Sequence, residues 1–231
     1  MRTKIRFFLL IAAFLLADVA ALASEAPPRI GADAALRLLL KGNRSFVSNR
    51  LTVRESSTPA RRRALVPGQR PFAVILSCSD SRVPPEVIFN KGLGEIFVVR
   101  DAGNIPDPIV IGSIEYAVEH LGASLIMVLG HTRCGAVKAA VDATGREDEN
   151  IGAIIEKIAP AVRLAQKKIT GSNNPKLLEA AIDANIKLSA RSLLKKSPLI
   201  QSLVASGKVR IVCAKYDLDS GSVNLMSCKA N

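Results

Sequence analysis

Apolar residues arrive along this chain in two rhythms. Apolar runs stand at Phe72 to Leu76, Ile96 to Val99, Leu125 to Leu129 and, with Arg210 inside it, Val209 to Cys213. Each is short for a helix and lacks the alternation of a half-exposed strand, so each reads as a strand buried on both faces. Between them the apolar positions recur at helical spacing. Asp33 to Val47 carries Leu36, Leu39 and Leu40 on one face, with Asp33 near its N-cap, and Ile109 to Leu121 is a second such stretch. Ile151, Ile154, Ile155, Ile158 and Val162 make a third face, and Leu177, Ala181, Ala184 and Leu188 a fourth. Ser197-Pro198 opens a further helix at the favoured N-cap and N1 positions, and Gly207 closes it. Buried strands alternating with helices predict an α/β fold. Four parallel strands form a mostly parallel sheet flanked by helices, and Val223 to Leu225 returns after a turn as an antiparallel edge strand. No internal repeat and no linker to a second domain is visible, so residues 24–231 read as one domain.

The first 23 residues stand apart from this pattern. Arg2, Lys4 and Arg6 precede the apolar run Phe7 to Leu16, and Ala21-Leu22-Ala23 is a small-residue cleavage site. The run is short for a bilayer span and Asp18 follows it closely. Residues 1–23 therefore read as a signal peptide. The expectation is export, most simply to a periplasm, with a mature chain starting near Ser24 and no stable membrane insertion after cleavage. The formal charge of +12 lies almost entirely downstream of this segment. Its basic residues are scattered as Arg61-Arg62-Arg63, Lys167-Lys168 and Lys195-Lys196, with few aromatics between them and no nucleic-acid-binding motif. They read as solvated helix faces with an attraction for anions, and nucleic acid is not an expected partner.

The chemistry concentrates in two short segments, Cys78-Ser79-Asp80-Ser81-Arg82 and His131-Thr132-Arg133-Cys134. Each follows a predicted strand, and ligands bind at the carboxyl ends of strands in open α/β sheets. Cys134 opens the predicted helix Gly135 to Val141, where the helix N-terminus favours a thiolate. Two thiolates and one imidazole suit zinc rather than magnesium or calcium. Three protein ligands plus water is the catalytic pattern, whereas a structural zinc takes four. Other readings stay open at this point. In one, the cysteines and the histidine are unrelated core and loop residues; in another, His120 or another cysteine closes the set. Asp80 and Arg82 stand close enough for a charge-assisted pair that holds the carboxylate ionised and oriented; the plainer reading is a surface ion pair in a turn.

The other two cysteines, Cys213 and Cys228, flank a turn at Asp219-Ser220-Gly221-Ser222. If Ser220-Gly221 is a two-residue loop, Asp219 pairs with Ser222 and the register brings Cys213 opposite Cys228. A disulfide there makes demanding requirements on geometry. Two buried free thiols, or a register shifted by a bulge, is the preferred reading.

QRPFAVILSCSDSRVPPE at residues 69–86 and LGHTRCGAV at 129–137 resemble the β class of carbonic anhydrases. So do GNRSF at 42–46, FVVRDAGN at 97–104, SIEYAVEHLG at 113–122 and SPLI at 197–200, which together span nearly all of the chain after the signal. The resemblance implies one Zn2+ per subunit held by Cys78, His131 and Cys134, with Asp80 and Arg82 as the catalytic dyad. It implies a bicarbonate donor at Gln69, cavity residues Phe97 and Tyr116, and a backbone contribution from Gly135. It also implies a homodimer or larger homo-oligomer, because neighbouring subunits share the cavity. The implied reaction is reversible hydration of carbon dioxide to bicarbonate by hydroxide held on zinc.

A branch of the family that bicarbonate shuts down resembles this chain less. Its tryptophan falls at Ile75, its arginine and tyrosine match Arg100 and Tyr216, and Gln69 favours the branch that stays open. Asp101 stands where asparagine is expected, and an acidic group there could alter bicarbonate release. Two other functions fit parts of the pattern: a related zinc hydrolase acting on carbonyl sulfide or carbon disulfide, and a non-catalytic zinc-stabilised module. Asp80, Arg82 and Gln69 argue against the module, since a closed site has no use for them.

Overall fold

The chain builds strands β1 (Ala73–Cys78), β2 (Ile96–Asp101), β3 (Leu125–His131), β4 (Arg210–Tyr216) and β5 (Val223–Met226). The computed structural model describes residues 29–144, 149–169 and 175–228, and the predicted signal peptide lies outside them. The strands form one sheet in the order β2-β1-β3-β4-β5. The first four run parallel and β5 is antiparallel to β4. Three of the four predicted parallel strands run two residues further than their apolar runs, to Cys78, Asp101 and His131, and β4 runs three further, to Tyr216. The extensions stay in the ladder, with Ser77 pairing with both Arg100 and Leu129 and Cys78 with Asp101, and in β1 and β3 they remain buried although they include Ser77 and His131.

Eight α-helices cover the sheet among the described residues: α1 (Ala32–Val47), α2 (Pro59–Ala64), α3 (Pro85–Ile88), α4 (Pro108–Glu119), α5 (Gly135–Asp142), α6 (Glu149–Gln166), α7 (Pro175–Lys196) and α8 (Pro198–Ala205). Side chains alternate between the two sheet faces, so β1 sends Val74, Leu76 and Cys78 to one core and Ala73 and Ile75 to the other. The first core packs α4 to α8 against the sheet, and the second packs α1 and α3. Each fully buried Ile or Leu in these layers contributes about 1.5–3 kcal/mol. Ser197 caps α8 as its sequence predicts, its hydroxyl accepting from the Ile200 N–H at 3.0 Å while donating to Glu115. Asp33 lies in the first turn of α1, near the N-cap as its sequence predicts; Gly31 is the cap itself, and Asp33 pairs with Arg210.

Two predicted helix faces shift. Ile151 is 64 % exposed, so the buried face of α6 begins at Ile154 and Ile155. On α7 the buried stripe is Leu177, Ala181, Ile182, Ile186, Ala190 and Leu193, with Ala184 and Leu188 only half-buried. The reason is close packing of α7 on β3. A Cβ at Gly130 would lie 2.5 Å from Ile186 Cδ1, so only glycine lets the helix settle there.

The cysteine reading also needs correction. Cys213 and Cys228 form a disulfide with Cα atoms 5.3 Å apart. The hairpin register differs from the predicted one: Tyr216 pairs with Val223, and Cys213 lies across from Met226. The turn is wider than two residues because the Asp217 carboxylate accepts from the Ser220 N–H at 2.8 Å and the Ser220 hydroxyl at 2.7 Å. Cys228 lies just past the end of β5 and still reaches Cys213. The bond closes a span of 15 residues in sequence. Replacing both cysteines with alanine should lower the unfolding free energy by about 2–3 kcal/mol in chemical denaturation. An unchanged midpoint, or two alkylatable thiols at these positions in the native protein, would show that the pair is open.

Candidate metal centre

β1 and β3 are neighbours, and the chain leaves them in opposite directions, β1 towards β2 and β3 towards β4. Such a switch point opens a crevice at the carboxyl ends of the strands. Cys78 ends β1, His131 ends β3, and Cys134 is the N-cap of α5. Arg133, between the last two, takes a left-handed backbone with φ 55°, which turns the chain sharply enough for both ligands to face one point. The three ligand atoms lie within 4.8 Å of one another and all three residues are buried. The two sulfurs are 3.9 Å apart, close to the spacing of two thiolates each about 2.3 Å from one tetrahedral zinc. His131 Nδ1 lies 2.9 Å from the Thr132 carbonyl oxygen and donates to it, which leaves the Nε2 lone pair towards the sulfurs. Nε2 is buried and meets no hydrogen-bond partner among the described residues. An orphaned buried nitrogen beside two buried thiols fits a zinc ion.

Cys78 is the sulfur that ionises first. The hydrogen bond from Cys134 and another from the Gly103 N–H at 3.4 Å hold its thiol well below the usual range, against the effect of burial. Cys134 gives its proton to that bond and is buried beside the resulting charge, so its own thiol is pushed up. A bound divalent cation reverses this order by ionising both.

Asp80 sits at the rim of this group. Arg82 grips its carboxylate in two places, Nε to Oδ1 at 2.9 Å and Nη2 to Oδ2 at 2.7 Å, and the Arg82 N–H also reaches Oδ1 at 3.0 Å. This two-point grip holds the carboxyl well below the usual carboxylate range. Asp80 Oδ2 is 3.8 Å from His131 Nε2, so the oriented carboxylate faces the same point as the ligands. The dyad is therefore part of the metal centre rather than a surface ion pair.

Two residues that support the site carried no such assignment in the sequence. Arg100 donates from Nε to the Cys78 carbonyl at 3.1 Å and from Nη2 to the Asp80 carbonyl at 2.7 Å, which fastens the loop that holds ligand and dyad. Gly103, with φ 91°, supplies the N–H to Cys78. The sequence tied Arg100 only to the arginine of the branch that bicarbonate shuts down, and no pattern in sequence announces a backbone donor. Asp101 does not stand free at a cavity edge. It accepts from the Ile105 N–H at 2.6 Å, and burial pushes its carboxyl up to about 7.

Residues 73–223 match the carbonic anhydrase family model. Carbonic anhydrase 2 of Mycobacterium tuberculosis is 38 % identical over 197 residues, which cover 84 % of this chain and 92 % of that protein. The chain belongs to the carbonic anhydrase family. A carbonic anhydrase of Mycolicibacterium smegmatis is likewise 38 % identical, over 87 % of this chain and 96 % of its own. Among solved structures, the β-carbonic anhydrase CcaA superposes with a TM-score of 0.66 at 26 % identity, covering 83 % of this chain and 95 % of that one. Family, sheet order and ligand set together make this a β-class carbonic anhydrase, a zinc-dependent enzyme.

The remaining residues that the resemblance implicates in this carbonic anhydrase divide into two groups. Gly135 follows the N-cap Cys134, and nothing lies within 4 Å of where its Cβ would be, so it borders open space beside the metal ligands. Gln69, Phe97 and Tyr116 are not gathered there within one chain. Gln69 is exposed on the loop that enters β1, at the far end of the strand from Cys78, more than about 15 Å away at the rise of a β-strand. Phe97 pairs with Val74, four residues before Cys78 on the neighbouring strand. Its ring lies 6.4 Å from that of Tyr116, which is half-exposed on α4. His120 is also exposed rather than partly buried, and stacks on Tyr116 at 5.3 Å. It is no fourth ligand. Ile75, where the bicarbonate-sensing branch has tryptophan, and Tyr216, which matches its tyrosine, are both core residues.

The purified protein should carry one zinc per chain. His131→Ala and Cys134→Ala should each reduce zinc content roughly tenfold or more, measured by plasma mass spectrometry on folded protein. Full retention in either variant would place the metal elsewhere.

Proposed function

We propose that the chain works as an exported carbonic anhydrase in which Asp80 and Arg82 control the reacting water and a second copy of the chain completes the substrate cavity. One observation carries the chemical half. Three buried ligands converge on a point that the ionised Asp80 carboxylate faces, with no fourth protein ligand among the described residues.

Cys78, His131 and Cys134 would hold the ion. Zinc bound there supplies hydroxide near neutral pH, since it lowers the pKa of water from 15.7 towards about 7. With the ion in place, Asp80 would accept a hydrogen bond from the nucleophile it supplies and would so orient it towards the carbon of CO2. The Arg82 grip fixes the direction of this acceptor and keeps it ionised. Because Asp80 stays ionised far into acid, it orients the proton it bonds and does not remove it. His131 is committed to the ligand set and His120 is exposed at the end of α4, so the proton leaves to solvent and buffer.

Assembly would bring in the second group of residues. Gln69 lies outside reach of its own metal centre, while Tyr116 and the 80 % exposed Ile109 present an apolar face on α4. A dimer that buries this face lets Gln69, Phe97 and Tyr116 of one subunit line the cavity of its partner. Export is supported by the charge and apolar pattern of residues 1–23 and by the Cys213–Cys228 bond, which persists in oxidising compartments.

Stopped-flow CO2 hydration should be fast and should fall by about a hundredfold or more in Asp80→Asn with zinc content unchanged. Two thiolates place negative charge on the ion and make its water less acidic, so activity should rise from neutral towards alkaline pH. The depressed Asp80 carboxyl adds no acid limb of its own in that range. Turnover at the buffer rate in zinc-loaded protein would overturn the reaction, and a flat profile would overturn the thiolate argument. Protein recovered from the periplasm should begin near Ser24 by intact mass and elute as a dimer or larger in light scattering. A retained N-terminus or a monomer would contradict export or the shared cavity, respectively.

A further inference from the structure

The loop that follows β2 has two faces. On one, the Gly103 N–H meets the Cys78 sulfur at 3.4 Å. On the other, Ile105 and Pro106 form part of the wall of a cleft of about 530 Å3 between α6 and α7. The volume is that of a small organic molecule rather than a bare ion. Pro160 and Leu188 extend the apolar wall.

Polar groups are built into this cleft. Asn185 and Ser189 line it although each is only 4 % exposed. Asn185 spends its Nδ2 on the Gly103 carbonyl at 2.8 Å, and no partner occupies its Oδ1 among the described residues. The Ser189 hydroxyl has no hydrogen-bond partner among the described residues either, and its oxygen is open to the cleft rather than sealed. Three lysines stand around the opening, Lys157 from α6 and Lys195 and Lys196 from the end of α7, against one carboxylate, Glu156. Lys196 also lies 3.5 Å from the Pro106 carbonyl. The paired lysines that read as a solvated helix face therefore border a cavity with an apolar wall and an unpartnered donor.

We propose that this cleft is a second ligand site, for a small organic phosphate. The lysines and Ser189 take the dianionic head, and the apolar wall takes its organic body. Ammonium groups serve phosphate as point charges, and a dianion suits a cluster with net positive charge better than a single carboxylate. The site is joined to the metal centre through Asn185 and Gly103. A ligand that moves the Asn185 amide changes its hold on the Gly103 carbonyl, and the same residue's N–H is the donor to Cys78. An occupied cleft thus alters how firmly the ligand sulfur is held. The coupling rests on Cys78 being a zinc ligand; the binding does not.

The test uses the zinc-loaded protein and phenyl phosphate, with inorganic phosphate and phenol as controls for head and body. Amide NMR should show saturable shifts at residues 105–106, 157–160 and 185–196 with one site per chain. Binding should be at least tenfold tighter than for either control and at least tenfold weaker in a Lys195→Gln/Lys196→Gln variant. That variant should keep its zinc and its CO2 hydration rate. The Gly103 amide should shift on binding, and the rate of zinc loss to a chelator should change at least twofold. Shifts confined to the loops of Cys78, Asp80 and His131, equal binding by the lysine variant, or no saturation would overturn the site. Saturable binding with an unmoved Gly103 amide and an unchanged rate of zinc loss would overturn the coupling. Zinc content measured separately distinguishes both results from an error in the ligand assignment, because a protein that binds phenyl phosphate but holds no zinc at Cys78 contradicts only the latter.

Discussion

The parallel pairing of β1 with β3 is the constraint on which the centre depends. Ser77 lies against Leu129, so the residues that follow, Cys78 on one strand and Gly130-His131 on the other, emerge side by side at the same edge of the sheet. A slip of one residue would send every side chain of a strand to the opposite face and exchange Cys78 for Ser77 at the crevice. The register is secured on both faces at once. Ile75 and Leu129 belong to the α1 side, and Val74, Leu76 and Val128 to the α4–α8 side. Gly130 adds a third lock by admitting Ile186 of α7 against the strand just before His131. The hydrophobic core is therefore what aims the metal ligands.

Around that frame the site is organised in layers of decreasing burial. Cys78, His131 and Cys134 are buried, Asp80 is at the rim, and Arg82 is half-exposed. Burial alone would keep both sulfurs protonated and the carboxylate reluctant to ionise. The effect is offset at Cys78 by Cys134 and Gly103 and at Asp80 by Arg82, while the Cys134 thiol stays pushed up. The ionised acceptor and the metal ligands then share one small volume from which other protein ligands are absent among the described residues. This arrangement suits a reaction whose substrate is small and uncharged and whose nucleophile must be both generated and aimed.

Much of this was legible in the residue order. The apolar runs gave the four parallel strands, buried throughout in β1 and β3 but only partly in the edge strand β2 and in β4, and CxDxR and HxxC lie together at the ends of β1 and β3. What remained hidden was set by backbone geometry and by contacts distant in sequence. The two-residue turn inferred at Ser220-Gly221 failed because the Asp217 side chain organises a wider one, and the disulfide forms from a register that the turn rule does not produce. The supporting role of Arg100 stayed hidden because its partners are carbonyl oxygens, which leave no trace in composition. Ile151 followed helical spacing perfectly well and still points outward, since periodicity marks a face without saying how far along the helix the core extends. Gln69, which the resemblance ties to the motif, lies at the opposite end of β1 from Cys78, a separation visible only once the strand has a direction.

A crystal structure of the zinc-loaded protein tests the central claim most directly. The account predicts electron density for one zinc bonded to Cys78, His131 and Cys134, with a solvent oxygen as the fourth ligand and within hydrogen-bond distance of Asp80. Zinc closed off by Asp80 itself or by a fourth protein ligand, with Arg82 released from the carboxylate, would contradict it.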